Sequence, residues 1–364
     1  MIMNNRIIKK CWRDSASLVL LARQNVDRLT STVSNKCNYD ILFQTRTLKA
    51  TFSNGVVFPG GITEVADASD NWLTLFKSFG YTQQDFESFS KKNFITNLIF
   101  KDNPIQKHIT LRITAIRETF EELGLLICSS YHKDNTGKGI CTKVLPNVDT
   151  KYWQSKVSRE PLEFLNLCKA YNCYPDIWSL HYWSNWLSPV FLPKRFDTAF
   201  FVAALEDKPE IVGVEDSQEV AKVEWSHPLD ILKRNSKNEL QLYPPQGYEL
   251  HRFNYFTDVE EIITFAKDTT SRGSELIYPI TVKTSDGVVF LLPGDHLYPA
   301  DIDYNSAHIK RESQSTLKLR DHTKTLHRFE VIGSEGTIVV NNYTPLNHIN
   351  MENQVKPVNI SFTS

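Results

Sequence analysis

The chain has 364 residues, 41% hydrophobic and 12% aromatic, which is enough for two domains or one core with large insertions and too apolar for bulk disorder. Its 41 basic and 42 acidic side chains leave a formal charge of -1, which argues against wrapping nucleic acid on a broad basic surface. The longest apolar runs, 18–22 and 198–205, fall far short of the roughly 20 residues that cross a bilayer, so neither nucleic acid nor membrane is expected as a partner.

No apolar h-region of the signal-peptide kind follows Arg6, Lys9, Lys10 and Arg13. A secretory signal is therefore not expected, and only a very short mitochondrial leader would fit before the strand expected at 17–22. Further strands are expected at 39–45 and 56–58, followed by the breaker Pro59-Gly60-Gly61. Residues 70–100 read as helical, with Trp72, Leu73, Leu75, Phe76 and Phe79 at helical spacing, a break at Gly80, and Phe86, Phe89, Phe94 and Leu98 beyond it. Pro104 stops that segment. The clearest element is a helix over about 107–123, whose stripe is Leu111, Ala115, Ile116, Phe120 and Leu123 and whose stop is Gly124. Residues 125–127 lead towards another strand and 131–150 read as a loop. A helix is expected at 152–171, with Pro161 as a mark against it. Strands follow at 181–189 and 197–205, and helices at 228–234 and 246–256. The last hundred residues read as β-rich, with strands at 280–283, 288–292, 329–332 and 337–340. The cysteines, Cys11, Cys37, Cys128, Cys141, Cys168 and Cys173, are scattered without a CxxC pair. A reduced intracellular compartment fits this usage, and zinc is not expected.

The chemistry concentrates in Arg117-Glu118-Thr119-Phe120-Glu121-Glu122-Leu123-Gly124. Glu118, Glu121 and Glu122 occupy i, i+3 and i+4, so one helix face carries three carboxylates. Like charges so close destabilise a helix unless something positive offsets them. Hard carboxylate oxygens select Mg²⁺ or Mn²⁺. A Glu-Glu pair alone would be an ordinary solvated face; the full Arg-Glu-x-x-Glu-Glu-x-Gly string with a Gly-Gly breaker upstream is a far rarer coincidence.

This string, with Val57-Phe58-Pro59-Gly60-Gly61 before it, resembles the box of the Nudix hydrolases, which cleave nucleoside diphosphates linked to another moiety. Trp12–Ala16, 54–61, Trp186-Leu187-Ser188-Pro189, 195–201, Tyr243-Pro244-Pro245-Gln246 and Leu291-Leu292-Pro293-Gly294-Asp295 resemble one branch, associated with hydrolysis of coenzyme A and acyl-coenzyme A. The resemblance implies an α/β/α sandwich with a mixed sheet. It also implies a Nudix domain at 12–260 with helical insertions at about 66–106 and 131–178, and a β-rich C-terminal extension at 261–364. Mg²⁺ or Mn²⁺ would be held by Glu118, Glu121 and Glu122. Arg117 would orient a carboxylate, Glu121 would be a third ligand or the base through a metal-bound water, and Gly60 and Gly61 would let backbone approach the phosphates. The implied reaction is hydrolysis of the diphosphate of coenzyme A or an acyl ester to 3′,5′-ADP and a phosphopantetheine. ADP-ribose, NADH or a dinucleotide polyphosphate are alternative substrates, and a catalytically silent nucleotide-binding protein is the alternative outside enzymes. The branch is associated with peroxisomes or mitochondria, but Phe362-Thr363-Ser364 is not an SKL-type address.

One departure is the extra stretch of about forty residues between Gly61 and Arg117. Counted back from Arg117, the other box glutamate would fall on Ile109, so it is absent or supplied by Glu64 or Asp67. Coenzyme A also carries a 3′-phosphate. Arg46, Lys49, Lys194 and Arg195 are the basic candidates for it, Arg being the better bidentate partner. Glu215, Asp216 and Glu219 lie on an expected loop that would overhang the metals. Trp178, Trp183 and Trp186 would stack an adenine or fill the core. The ten histidines read as structural and Asp295 as a turn residue. The Phe-rich insertion at 66–106 is expected to be either a lid or acyl groove near the phosphates, or a packing element.

Overall fold

A computed structural model describes residues 12–24, 37–48, 54–90, 97–135, 139–211, 219–304, 306, 309–321, 324–351 and 353–360. Arg6, Lys9, Lys10, Cys11, Lys49, Phe94, Glu215 and Asp216 lie outside them. The elements run β1 (Arg13–Arg23), β2 (Tyr39–Arg46), β3 (Val56–Val57), β4 (Gly60–Ile62), α1 (Asn71–Ser78), α2 (Gln83–Glu87), α3 (Pro104–Leu123), β5 (Cys128–Ser129), α4 (Thr150–Val157), α5 (Glu163–Ala170), β6 (Tyr174–Pro175), β7 (His181–Leu187), β8 (Phe196–Leu205), β9 (Val220–Ser226), α6 (Pro228–Ser236), α7 (Pro244–Phe253), α8 (Val259–Arg272) and β10 (Leu276–Ile277). The C-terminal part adds β11 (Ile280–Lys283), β12 (Gly287–Leu291), β13 (Ile309–Arg311), α9 (Thr316–Asp321), β14 (Leu326–Ile332), β15 (Glu335–Asn341) and β16 (Gln354–Pro357).

The central sheet has the order β10-β7-β8-β1-β2-β3, with β4 also on β1 and β9 also on β2. It is mixed: β1 and β8 run parallel from Arg13↔Phe196 to Ala22↔Leu205, while β1 and β2 are antiparallel. Such a sheet is buried on both faces, so the middle of β1, Leu18–Ala22, is apolar without interruption. Its alternation still sorts the two cores: Leu18, Leu20 and Ala22 face α3, whereas Val19 and Leu21 face α7 and α8. One edge of β1 is shared along its length. Its first half pairs with β4 through Ser15↔Ile62 and Ser17↔Gly60, and its second half with β2 through Leu21↔Ile41. That split sets the Gly-Gly turn next to the α3 box helix.

Several expectations change. Pro104 does not merely stop the preceding segment; it opens α3 as its first residue, where a missing N–H costs nothing. The α3 stripe is fully buried as expected, but so are Thr114, Arg117 and Thr119 on other sides, because the insertion covers them. Pro161 splits the helix expected at 152–171 into α4 and α5. Residues 125–127 are irregular, and the strand after them is only Cys128–Ser129. Gln154 of α4 donates to the carbonyls of Phe120 and Glu121, both at 3.1 Å, and so satisfies orphan carbonyls at the end of α3.

The boundary expected at 260/261 falls inside α8, which packs on β7 and β8. Beyond α8, β10 still belongs to the central sheet, and the second sheet, β13-β11-β12-β14-β15-β16, starts at Ile280. It is no loose appendage: Phe290, Leu292, Phe329 and Ile338 share a core with Tyr248, Phe253 and Trp183. Asp295 closes the expected turn, its N–H donating to the Leu292 carbonyl at 3.1 Å, but its side chain does more than that. It is fully buried and holds the Arg328 guanidinium through two bonds of 2.7 Å. In the 66–106 insertion, Trp72, Phe76, Phe86, Ile99 and Phe100 join the α3 core with Tyr174 and Phe164. Its described residues take the packing role, and none of them lines the cleft described below. No described helix is long and apolar enough to cross a membrane.

Candidate active site

The site is built where α3 passes the turn between β3 and β4. Arg117 is 1% exposed and would be costly to bury unpaired. Asp67, also 1% exposed, takes Nε at 2.8 Å and Nη2 at 2.9 Å in a bidentate pair. The remaining donors reach the Ile62 carbonyl, Glu121 and Glu118. Thr114 Oγ1 and the Glu64 backbone N–H donate to Asp67 at 2.9 and 3.0 Å. Asp67 therefore supplies the box carboxylate that Ile109 cannot, and Arg117 is a positioning residue that ties the Gly-Gly turn to α3. The signal was present in the sequence: Asp67 stands six residues after Gly61, on the near side of the insertion.

Glu122 is equally tied down. Gln44 Nε2 and the Gly60 N–H donate to its Oε2 at 2.9 and 3.1 Å, and Arg46 lies 3.4 Å from Oε1. Burial nevertheless pushes its carboxyl up to about 7, against the pull of Arg46 and these bonds. Burial also raises Glu118 and Glu121, against the opposing charge of Arg117 and reinforced by neighbouring carboxylates. One buried and two half-buried acids on one helix turn thus share too little positive charge.

Gly61 explains why the turn must be glycine. A Cβ there would sit 2.4 Å from the Glu118 carboxyl carbon, and one at Gly60, whose φ is +151°, would sit 2.3 Å from the Ala16 carbonyl oxygen. Gly61→Ala is expected to displace the Glu118 carboxylate and lower kcat about 10²-fold, the scale set by small misplacements in active sites. Melting should shift little. Steady-state kinetics and a thermal melt check this, and unchanged kcat would remove the close approach as a requirement.

Beside this turn opens a cavity of about 370 Å³. Glu118, Glu64, Glu219, Arg46, Gly60 and Gly61 form its polar part, and Trp186, Pro189, Leu192, Phe196, Phe200, Tyr243, Pro244 and Pro245 its apolar part. The segments 186–189 and 243–246, more than fifty residues apart in sequence, meet in this wall. Trp186 is aimed by Glu249, a fully buried carboxylate that accepts from Trp186 Nε1 and Trp183 Nε1 at 2.8 Å and from Ser184 Oγ at 2.7 Å. Trp183 and Trp178 belong to the cores instead.

The other expected residues divide. Arg46 lines the cleft but is engaged by Glu122 and by Glu219 at 2.6 Å. Arg195 is outside the described lining, and its Nη1 donates to the Val190 carbonyl at 3.4 Å. Glu118 and Glu121 both pair with Arg117 and Glu122 pairs with Arg46, and of these three helix glutamates Glu118 is the one on the cleft wall. Sequence reasoning passed over Gln44 and Glu249, which carry no local motif.

A mixed sheet, an arginine-anchored helix with three glutamates and a glycine turn against it are the framework of the Nudix hydrolases. A model of the NUDT19 Nudix domain matches residues 12–253, and one of the NUDT19 C-terminal domain matches residues 281–342. The chain belongs to the NUDT19 family. It is 36% identical to a Gallus gallus protein named acyl-coenzyme A diphosphatase NUDT19, over 87% of this chain and 86% of that one. It is 32% identical to the Homo sapiens protein of the same name, over 87% and 88%. A Caenorhabditis elegans putative nudix hydrolase 7 is 24% identical over 88% and 85%. Among solved structures, a NUDIX hydrolase from Alicyclobacillus acidocaldarius aligns with a TM-score of 0.49 and 22% identity, covering 70% of this chain and 96% of that one.

Proposed function

We propose that the chain hydrolyses the diphosphate linkage of coenzyme A or acyl-coenzyme A, giving 3′,5′-ADP and the corresponding 4′-phosphopantetheine. The carrying observation is the juxtaposition in one cleft of a carboxylate face with a proline- and aromatic-lined wall. A diphosphate flanked by an adenine on one side and a long thin arm on the other has that polarity. The names of the Gallus gallus and Homo sapiens relatives support the same substrate class.

Nudix enzymes use divalent cations, and the donor set here fits one: Glu118, with Glu64 and Glu219 on the same cleft, offers hard oxygens whose negative charge Arg117 and Arg46 only partly offset. We assign Mg²⁺ or Mn²⁺. When bound, such an ion supplies charge neutralisation at the diphosphate and a more acidic water. The chain's own residues do the rest. Arg117 and Asp67 fix α3 relative to the glycine turn, and Gly61 leaves room for Glu118 to reach the cleft. Glu121, engaged with Arg117, keeps the helix face oriented, and Glu64 or Glu219 is placed to take the proton of the attacking water. Arg46 is the basic residue among the described cleft lining, and it meets the phosphates while holding Glu122 and Glu219. Trp186, fixed by Glu249, offers its ring to the adenine or the pantetheine arm.

Purified protein with Mg²⁺ is expected to release 3′,5′-ADP from coenzyme A and its acyl esters, read by chromatography. ADP-ribose, NADH and a dinucleotide polyphosphate run alongside. Turnover confined to those three would overturn the coenzyme A assignment, and turnover of none would favour the silent nucleotide-binding reading.

A further inference from the structure

We propose that Cys128, Cys168 and Cys173 form a three-sulfur site for a soft monovalent cation, copper(I), separate from the hydrolytic cleft. The three side chains come from β5, from α5 and from the residue just before β6, and their sulfurs all lie within 4.8 Å of one another. None takes part in a disulfide. The chain brings them together by two local devices. Asn172, with φ of 46°, reverses the chain after α5 so that the Cys173 N–H returns to the Cys168 carbonyl at 2.9 Å. The β5–β6 pairing, Cys128↔Pro175, then lays Cys128 alongside.

The surroundings choose the ligand. Exposure is 3% at Cys128 and zero at Cys168 and Cys173, within the core that holds Phe164, Leu167 and Tyr174. Among the described residues no histidine or carboxylate joins the group. Hard cations, which need oxygen, are therefore disfavoured. Structural zinc takes four ligands and catalytic zinc a water in the fourth place, and a buried three-sulfur nest provides neither. A soft ion content with thiolates alone fits. Small apolar packing would account for burial of each cysteine singly but not for three sulfurs converging. Cys173 follows the exposed Asn172, so the turn gives the ion a short way in. Binding forms copper–sulfur bonds and releases one S–H proton to solvent for each thiol that becomes a thiolate ligand, with no change of oxidation state.

The test uses the full-length reduced protein without oxygen, with Cu(I) presented as its bathocuproine disulfonate complex. One Cu(I) per chain is expected to co-elute with the protein, and Cu K-edge absorption of the unmutated protein should show a shell of sulfur alone. The double variant C168S/C173S should bind about a hundredfold more weakly or worse, beyond what changes around a ligand produce. Cys141→Ser, outside the cluster, should bind as before. Equal binding by wild type and the double variant, a nitrogen- or oxygen-dominated shell, preferential retention of Zn²⁺, or a disulfide in place of bound metal would each overturn the proposal. The absorption measurement needs no variant, so an unfolded double variant leaves the test intact.

Discussion

Glu118→Gln is expected to lower kcat about 10²–10³-fold without lowering the melting temperature of the metal-free protein. The loss follows from position: of the three helix glutamates it is the one on the cleft wall, and a ligand that concentrates charge on the diphosphate carries several kcal/mol of barrier, each 1.36 kcal/mol being tenfold. The unchanged or higher melting temperature follows from its surroundings. Burial raises the Glu118 carboxyl well above its usual range, with Glu121 and Glu122 adding to the effect, so an ionised Glu118 is a burden on the fold that a neutral amide of the same shape relieves. Steady-state kinetics and thermal melts on one preparation decide it. Parallel loss of activity and stability would make Glu118 a structural residue and remove it from the catalytic account.

Acidification from pH 7 towards 5 is expected to unfold the protein far more readily than its near-neutral charge suggests. His181, His251 and His327 are buried, and burial lowers them to about 3, 4 and 3; His108 and His348 are lowered well below the usual value for the same reason. The folded state keeps these five rings neutral while the unfolded chain protonates them near 6.5. Stability is therefore present above that value and is lost as pH falls towards the folded values, at up to about 1.4 kcal/mol per pH unit for each ring. Glu118, Glu121 and Glu122, all raised, act in the opposite sense and offset part of the loss. His227 is lowered by burial as well, so six rings stand against three carboxyls and the histidine sign prevails, a loss that counts against a typical stability of about 5–15 kcal/mol. Denaturant midpoints between pH 7.5 and 5 measure this. His327→Gln, which removes the ring held by Tyr248 and the Pro293 carbonyl at 2.6 Å each, should flatten the profile by about one proton. A pH-independent midpoint would contradict the neutral-histidine core.

The buried histidines and the carboxylate face differ in how they could be seen beforehand. A helix places i, i+3 and i+4 on one side whatever surrounds it, so Glu118, Glu121 and Glu122 could be grouped by spacing alone. The same rule applied to α8, where Val259, Ile262, Ile263 and Ala266 are buried at helical spacing, but the β-rich stretch after it hid that pattern. The strand β9 was missed because its edge position leaves Ala221 and Lys222 exposed, so little alternation is visible.

The sequence by itself determined the box helix, its carboxylates, the glycine turn, most strands of the central sheet and the family resemblance. All of these are written in residues a few positions apart. Only the tertiary structure decided that Asp67 anchors Arg117 across the insertion, that Gln44 and Arg46 hold Glu122, that Glu64 and Glu219 stand with Glu118 on the cleft, and that three scattered cysteines meet. Apart from Cys168 and Cys173, those pairings join residues dozens to more than a hundred positions apart, and which of them form depends on how the sheet order and the insertions close the intervening chain, not on any local preference.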